Sequence, residues 1–217
     1  MDGIYSSDPN ITTMAKKLDE ISFDEMQEIA DAGAKVLHNR CIQIGKKFNC
    51  DIEAKSTFVD NRGTRICKEI ENTEIKSIVK NANLIKIKVQ GEKENNINLS
   101  YKIYKDLLEK NIIAEYFDKN SSDFSAEFRI QKAELNKVQE ILEENYSEYN
   151  ISQEEIIKLT IVGYGIIQDN IVLQKVIKIL EENKIIIQNI NLTQSKIEVI
   201  VDKMDDELIN KIHNELI

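Results

Sequence analysis

Hydrophobic and polar positions follow one pattern twice along this chain, in two copies about 72 residues apart. Residues 84–90 and 156–162 both alternate apolar and polar side chains and are both followed by glycine. This alternation predicts a strand buried on one face. In each copy a polar loop leads to an apolar spacing of three and four, which predicts helices at residues 99–110 and 172–183.

Each copy continues with two more predicted strands and a second helix. The order strand, helix, strand, strand, helix is most of the ferredoxin-like βαββαβ unit, so the pattern predicts two small α/β sandwiches in tandem. The second copy ends before a closing strand, and we expect residues 75–79 to cover its open sheet edge. The remaining predicted strands are residues 112–117, 125–130, 185–190 and 196–201, and the remaining helices are residues 133–144 and 205–216.

The first third of the chain is predicted to contain helices and short strands. Ser22 followed by Glu25 is a capping-box pattern, which predicts a helix start here and an interruption at Gly33. Further predictions are a helix over residues 34–47 that turns Val36, Leu37, Ile42 and Ile44 toward a core, a strand over 50–54, a turn at 61–64 and a hinge over 68–74.

Composition narrows the classes of function. The 217 residues carry a net charge of −9, so neither nucleic acid nor an anionic membrane surface is an expected partner. No apolar run approaches the roughly 20 residues that span a bilayer, and the first residues lack the pattern of a signal peptide. The three cysteines show no zinc-type spacing. We therefore expect a cytoplasmic protein without a metal site.

The loops after the two strand-ending glycines, Gly91 and Gly163, are candidate binding sites. The chain contains none of the common motifs GxGxxG, GxxxxGK[ST], HExxH or GxSxG, so motifs assign no reaction. Each loop joins a strand to a helix N-terminus, where free backbone N–H groups can hold a carboxylate. A small zwitterion would fit this arrangement, whereas a solvated connection with incidental charge explains the same residues. Carboxylates available for an ammonium group are Glu92, Glu94, Glu115 and Asp169.

Several segments resemble the C-terminal half of aspartate kinases over essentially the whole chain. Asp-Gly-Ile-Tyr-Ser-Ser-Asp-Pro (residues 2–9), residues 15–26 and Gly-Ala-Lys-Val-Leu-His (33–38) are similar to the end of that family's amino-acid-kinase catalytic domain, and residues 63–66 resemble its closing segment. The two repeats resemble its tandem ACT domains, which bind lysine or threonine for feedback inhibition. The fold expected from this resemblance is α/β (α+β), a C-terminal remnant of an amino-acid-kinase domain followed by two ferredoxin-like ACT domains.

The resemblance also implies domain boundaries. Residues 1–67 are expected to be the C-terminal part of the catalytic domain, and 68–83 a linker and strand that pairs with the second ACT sheet. Residues 84–150 and 151–217 are expected to be the first and second ACT domains.

Four residues are implied to contact a nucleotide. Tyr5 and Asp8 belong to the first motif, Asn10 directly follows it, and Lys35 precedes Val-Leu-His. Asn10 stands where the family usually has arginine, which weakens a phosphate contact. The family's N-terminal lysine and glycine-rich phosphate segment have no counterpart here. We therefore expect no catalytic residue and no cofactor in this chain alone, although the complete family enzymes use ATP and Mg²⁺.

Effector-binding residues are implied in both ACT units, with departures from the family pattern. Asparagines and an isoleucine replace the usual Pro-Gly steps, and Lys119 places a cation where glutamine is usual. The implied set is Gly91, Glu94, Asn95, Asn96, Ile97, Glu115, Lys119, Asp169, Asn170, Ile171, Thr193 and Gln194.

Three functional hypotheses follow. The first is an amino-acid-sensing regulatory chain of an aspartate kinase, the enzyme that phosphorylates L-aspartate with ATP in the first step of lysine, threonine and methionine biosynthesis. Such a chain would form a homodimer through its ACT domains and could associate with a catalytic aspartate kinase subunit. The second is a split kinase half that completes the active site in trans, and the third is a truncated, non-functional relic.

Overall fold

The computed structural model describes residues 2–58, 62–68, 74–91, 99–120, 125–166 and 170–217, with the backbone alone for 116–120. Contacts divide the chain into two compact units. Residues 1–81 and 157–217 form the first, which we call the N–C unit, and residues 82–156 form the second, the central unit. The domain boundaries implied by the family resemblance remain predictions.

The N–C unit begins with a small mixed sheet covered by two helices. Strand β1 (Glu20–Ser22) leads into helix α1 (Phe23–Asp31), and helix α2 (Asn39–Phe48) follows. The strands β2 (Ile52–Ala54) and β3 (Thr64–Cys67) complete the sheet in the order β1–β3–β2. Strand β1 runs parallel to β3, and β2 runs antiparallel to it.

Helix α1 starts where the capping-box pattern predicts. The Glu25 N–H donates to Ser22 Oγ at 3.2 Å, and the Ser22 N–H donates to the Glu25 carboxylate at 3.2 Å. Two N–H groups at the helix start are satisfied in this way. The apolar side of the helix, with Phe23, Met26 and Ile29, is buried.

Helix α2 corrects the prediction of a helix over residues 34–47. It begins at Asn39, because His38 has an extended backbone and its Nδ1 accepts the Arg40 N–H at 3.2 Å. Val36 and Leu37 precede the helix and pack partly buried against the core. Ile44 was predicted to face this core and is instead 53% exposed, whereas Ile42 is buried.

Two long strands contribute residues to both units. They are β4 (Ser77–Gln90) and β7 (Asn150–Val162). In the N–C unit, β7 pairs antiparallel with β9 (Lys196–Val201), which pairs with β8 (Ile187–Leu192). The Lys76 N–H donates to Val162 O at 2.8 Å, so the start of β4 lies at the sheet edge that the repeat pattern leaves open.

The two faces of this sheet contact different cores. Helices α5 (Asn170–Glu182) and α6 (Asp206–Leu216) cover one face, which carries Ile78 and Ile161. The adjacent residues Val79 and Val162 point to the other face, since side chains alternate along a strand. There they join the core of β1 and α1. The N-terminal segment and the second ferredoxin-like fold therefore share the second of these two cores.

An ionic cluster links the N-terminal segment to the second ferredoxin-like fold. Lys196 Nζ lies 2.9 Å from Glu28 Oε2 and 3.1 Å from Glu198 Oε1, and the Ser195 hydroxyl donates to Glu28 Oε1 at 2.7 Å. Burial alone would raise the pKa of Glu198, but the Asn191 amide and the Lys196 ammonium together bring it below its ordinary value. The cluster thus holds ionised groups beside the shared core.

The central unit is the first ferredoxin-like fold. Its sheet has the order β5–β6–β4, with β5 (Glu115–Asn120) and β6 (Ser125–Gln131) antiparallel to their neighbours. Helices α3 (Leu99–Glu109) and α4 (Leu135–Asn145) pack against it around a core that includes Phe128. The prediction of two ferredoxin-like α/β folds is confirmed.

Two element boundaries in the central unit correct the predicted ones. Strand β5 starts at Glu115 rather than at residue 112, because Ile112 and Ala114 are buried in the core before pairing begins. A 3₁₀ turn at Lys132–Glu134 precedes α4, so this helix starts two residues after the predicted position. Among the helices in the described part of the chain, none is long and apolar enough to cross a membrane.

The Ser22 cap should contribute measurably to stability. We expect Ser22→Ala to lower the free energy of unfolding by about 1 kcal/mol, because it removes one side of the capping box. Ser147→Ala, at an exposed turn, is the matched control and should be neutral. Urea unfolding followed by circular dichroism measures both variants, and equal midpoints for Ser22→Ala and wild type would contradict the role of the cap.

Candidate functional site

A cavity of about 290 Å³ lies in the N–C unit. This volume is close to the lower end of the roughly 300–1,000 Å³ typical of small-molecule pockets. Its walls come from the N-terminal loop, the turn after α1, the start of β4 and Ile209 of α6. The four residues implied to contact a nucleotide, Tyr5, Asp8, Asn10 and Lys35, all line it. Residues separated by up to 30 positions in the sequence are thus brought together.

The N-terminal loop of the cavity is held by α6. Ser6 Oγ and His213 Nε2 are hydrogen-bonded at 2.8 Å. The Thr13 N–H donates to Asn210 Oδ1 at 3.0 Å, and the Asn210 amide donates to Ile11 O at 2.8 Å. Polar groups of α6 thus anchor this loop.

Strand β4 holds the same loop from a second side. The Ile78 N–H donates to Ser6 O at 2.8 Å, and the Ser77 hydroxyl lies 3.4 Å from Tyr5 O. The loop that carries the predicted nucleotide residues is therefore held by hydrogen bonds to the second ferredoxin-like fold.

Within the loop, two side-chain contacts fix the predicted residues. Asp8 Oδ1 accepts from the Asn10 N–H at 2.9 Å and from its side-chain amide at 3.0 Å. Asn10 therefore closes a local turn and supplies no cation where the family usually has arginine. The Tyr5 hydroxyl donates to Asp2 Oδ1 at 2.9 Å, and this hydrogen bond, together with burial, raises the pKa of Tyr5.

Lys35 follows a turn that requires glycine. Gly33 has a φ of +109°, a conformation that residues with a Cβ rarely adopt. A Cβ at this position would also lie 3.0 Å from Asn81 Nδ2. Lys35 itself is exposed and forms no ion pair with the residues that the structure describes. Its ammonium group is available to a ligand in the cavity.

His213 is a buried residue of α6 that the sequence did not mark as functional. Its Nδ1 has no hydrogen-bond partner among the described residues. Burial lowers the pKa of His213 and the nearby Lys16 adds to this, while the Asn214 side chain opposes the shift without reversing it. The imidazole that anchors the loop is therefore neutral at neutral pH.

The implied effector residues fall only partly within the described chain. Glu94, Asn95, Asn96, Ile97 and Asp169 lie outside the described residues, as does the side chain of Lys119. In the central unit, Gly91 follows β4, and Glu115 starts β5 with Gln131 Nε2 at 3.4 Å from its carboxylate. The effector roles of all these residues remain predictions.

In the N–C unit, hydrogen bonds join two segments that carry or adjoin implied effector residues. Thr193 and Gln194 form the turn between β8 and β9, and the Gly165 N–H donates to Gln194 O at 2.8 Å. The turn therefore lies beside the loop after β7. Asn170 and Ile171 start α5, and the Ile171 side chain is exposed.

The described part of the chain shows no candidate metal-binding site. No group of three or more His, Cys, Asp and Glu side chains there has an arrangement that could hold a metal ion.

Comparison with known proteins agrees with the resemblance seen in the sequence. The model of the amino acid kinase family matches residues 1–54. The aspartokinase of Rickettsia felis is 33% identical over 95% of this chain and 53% of its own length. An aspartate kinase of Pseudomonas fluorescens is 27% identical over 96% of this chain and 53% of its own length. The predicted likeness to aspartate kinases is thus confirmed, and the chain spans about half the length of the curated relatives it matches.

Solved structures of aspartate kinases share the fold. Aspartokinase III of E. coli with aspartate and ADP superimposes with a TM-score of 0.83 at 21% identity, covering 100% of this chain and 50% of that one. The structure of the same enzyme with lysine and aspartate superimposes with a TM-score of 0.77 at 20% identity. It also covers 100% of this chain and 50% of the E. coli chain. The regulatory subunit of aspartate kinase from Thermus flavus superimposes with a TM-score of 0.54 at 18% identity, covering 66% of this chain and 98% of that one. The predicted fold class is thereby confirmed.

The buried His213 should make stability depend on pH. Its pKa is lower in the folded chain than the unfolded value of about 6.5, so the unfolded chain binds the proton more readily. The stability that the neutral imidazole contributes is present above about pH 6.5 and is lost as the pH falls below that value. We expect the free energy of unfolding to fall less steeply from pH 7.5 to 5.0 in His213→Gln than in wild type.

Urea titrations across this pH range measure the effect. Equal slopes for His213→Gln and wild type would show that His213 does not titrate with folding.

Proposed function

We propose that this chain acts as the regulatory C-terminal portion of an aspartate kinase, sensing an amino acid through its ACT-type folds and carrying part of a nucleotide site. Homology to aspartokinases over 95% of the chain supports the assignment to this portion of the enzyme. The match to the amino acid kinase family over residues 1–54 supports a kinase-derived N-terminal segment.

One observation carries this proposal: the N-terminal loop with the predicted nucleotide residues is hydrogen-bonded to the second ferredoxin-like fold. Asn210 and His213 of α6 and Ile78 of β4 all hydrogen-bond to the loop that bears Tyr5, Asp8 and Asn10. A shift of α6 or β4 would therefore move the residues that line the cavity. Allosteric coupling of this kind typically amounts to about 1–3 kcal/mol, or about 5- to 150-fold in affinity.

Lysine and threonine are the proposed effectors. The E. coli neighbour solved with lysine and aspartate makes lysine the first candidate. In this proposal the loop after Gly91 holds the effector carboxylate and Glu115 holds its ammonium group. The proposed assembly is a homodimer through the ACT folds. A separate catalytic subunit is a second proposed partner, since a neighbouring structure contains aspartokinase alpha and beta subunits.

Effector binding is testable with a matched pair of carboxylate variants. We expect either lysine or threonine to bind in a calorimetric titration, and Glu115→Gln to weaken this binding about tenfold because it removes a charged partner of the ammonium group. Glu143→Gln, an exposed carboxylate of α4, should bind as wild type does. Absence of heat and of any shift in melting temperature with both amino acids would contradict amino-acid sensing.

A second candidate function is that of a kinase half acting in trans. The gathering of Tyr5, Asp8, Asn10 and Lys35 around one cavity favours it. In this case ATP with Mg²⁺ would occupy a site completed by an N-terminal aspartate kinase half.

The trans hypothesis predicts aspartate-dependent release of ADP when such an N-terminal half is supplied as a separate chain. Lys35→Ala should abolish this release, because the lysine is the exposed cation of the cavity. Lys184→Ala, remote in sequence from every cavity-lining segment, should leave it unchanged. Lack of ADP release by the mixture, or full activity of Lys35→Ala, would sink this hypothesis.

A further inference from the structure

Lys80, near the start of β4, is a cation of the cavity that the family resemblance did not imply. The charged residues lining the cavity are Asp8, Lys35 and Lys80. Asp8 already accepts two hydrogen bonds from Asn10 through one carboxylate oxygen. Asp206, outside the lining, offsets the charge of Lys80 while the two are paired. When that pair opens, two lysines face one aspartate in the lining, and the excess of positive charge favours an anionic ligand.

The present partner of Lys80 is easily exchanged. Lys80 Nζ lies 2.8 Å from Asp206 Oδ1, in the first turn of α6. The Lys80 side chain is 15% exposed, whereas that of Asp206 is 63% exposed. An ion pair with so exposed a carboxylate contributes little net free energy, because water solvates the carboxylate when the pair opens. A ligand phosphate can therefore compete for the lysine.

Asp206 also remains stabilised after such an exchange. It belongs to the N-terminal turn of α6, where the helix dipole favours negative charge. Lys80 has a long side chain with four rotatable bonds, so its ammonium group can leave Asp206 without movement of the strand.

We propose that Lys80 is a phosphate-binding residue of the cavity and that Asp206 holds it when the cavity is empty. The inference rests on the proposed function, because it takes the ligand of the cavity to be a nucleotide. Lys80 supplies the positive charge that Asn10 does not provide where the family usually has arginine. Lys80 belongs to β4 and Asp206 to α6, so in this proposal the phosphate contacts the second ferredoxin-like fold directly.

Titration calorimetry with ADP tests the proposal through variants that act in opposite directions. Lys80→Met should weaken ADP binding about tenfold, since it removes a charge-assisted contact to phosphate. Asp206→Asn should tighten ADP binding about threefold, because it frees the lysine from a weak competing pair. Lys80→Arg keeps the positive charge and should retain most of the affinity. A misfolded variant cannot account for tighter binding.

Two matched controls isolate the Lys80–Asp206 pair. Lys203→Met removes an exposed lysine just before α6, and Glu207→Gln removes the carboxylate next to Asp206 in the same helical turn. Both should bind ADP as wild type does. Adenosine, which has no phosphate, should bind wild type and Lys80→Met equally.

The outcomes separate the two proposals. ADP binding by wild type that is unchanged in both Lys80→Met and Asp206→Asn would overturn the role of Lys80 and leave the nucleotide site standing. Absence of ADP binding by wild type would overturn the nucleotide site and the role of Lys80 together. A loss of affinity for adenosine equal to that for ADP in Lys80→Met would show a structural role for the lysine and overturn phosphate binding.

Discussion

The burial of both faces of one sheet is the constraint on which the N–C unit depends. A strand presents successive side chains to opposite faces, and in β4 and β7 the pairs Ile78–Val79 and Ile161–Val162 are buried on both sides. Helices α5 and α6 cover one face, and the segment that resembles a kinase domain covers the other. Removing this segment would expose Val79 and Val162 to water, so it folds as part of one unit with the second ferredoxin-like fold.

This constraint places the candidate site where the two parts meet. The apolar contact brings the N-terminal loop against α6 and β4. The buried hydrogen bond between Ser6 and His213 and the more exposed contacts of Asn210 then fix its position. Buried polar groups need such partners, because an unpaired one costs about 1–3 kcal/mol. The cavity is consequently built by residues of the second ferredoxin-like fold as much as by the predicted nucleotide residues.

Features governed by local sequence were predicted well. Alternation of apolar residues located β9 at Lys196–Val201, and the Ser22–Glu25 pattern located the start of α1, because both depend on neighbours within a few residues. The predicted start of α2 and the burial of Ile44 were wrong, since a tertiary core and the His38 cap decide them. Asn210, His213 and Lys80 carry no motif, and the residues they bind lie 126–207 positions away, so periodicity could not reveal them.

Native-state hydrogen exchange tests most directly whether the kinase-like segment and the second ferredoxin-like fold are one cooperative unit. Amides of α1 and of β9 should exchange through a common opening, with the same free energy and the same dependence on denaturant. If the amides of α1 exchange through an opening of lower free energy while those of β9 stay protected, the two parts fold independently and the account is contradicted.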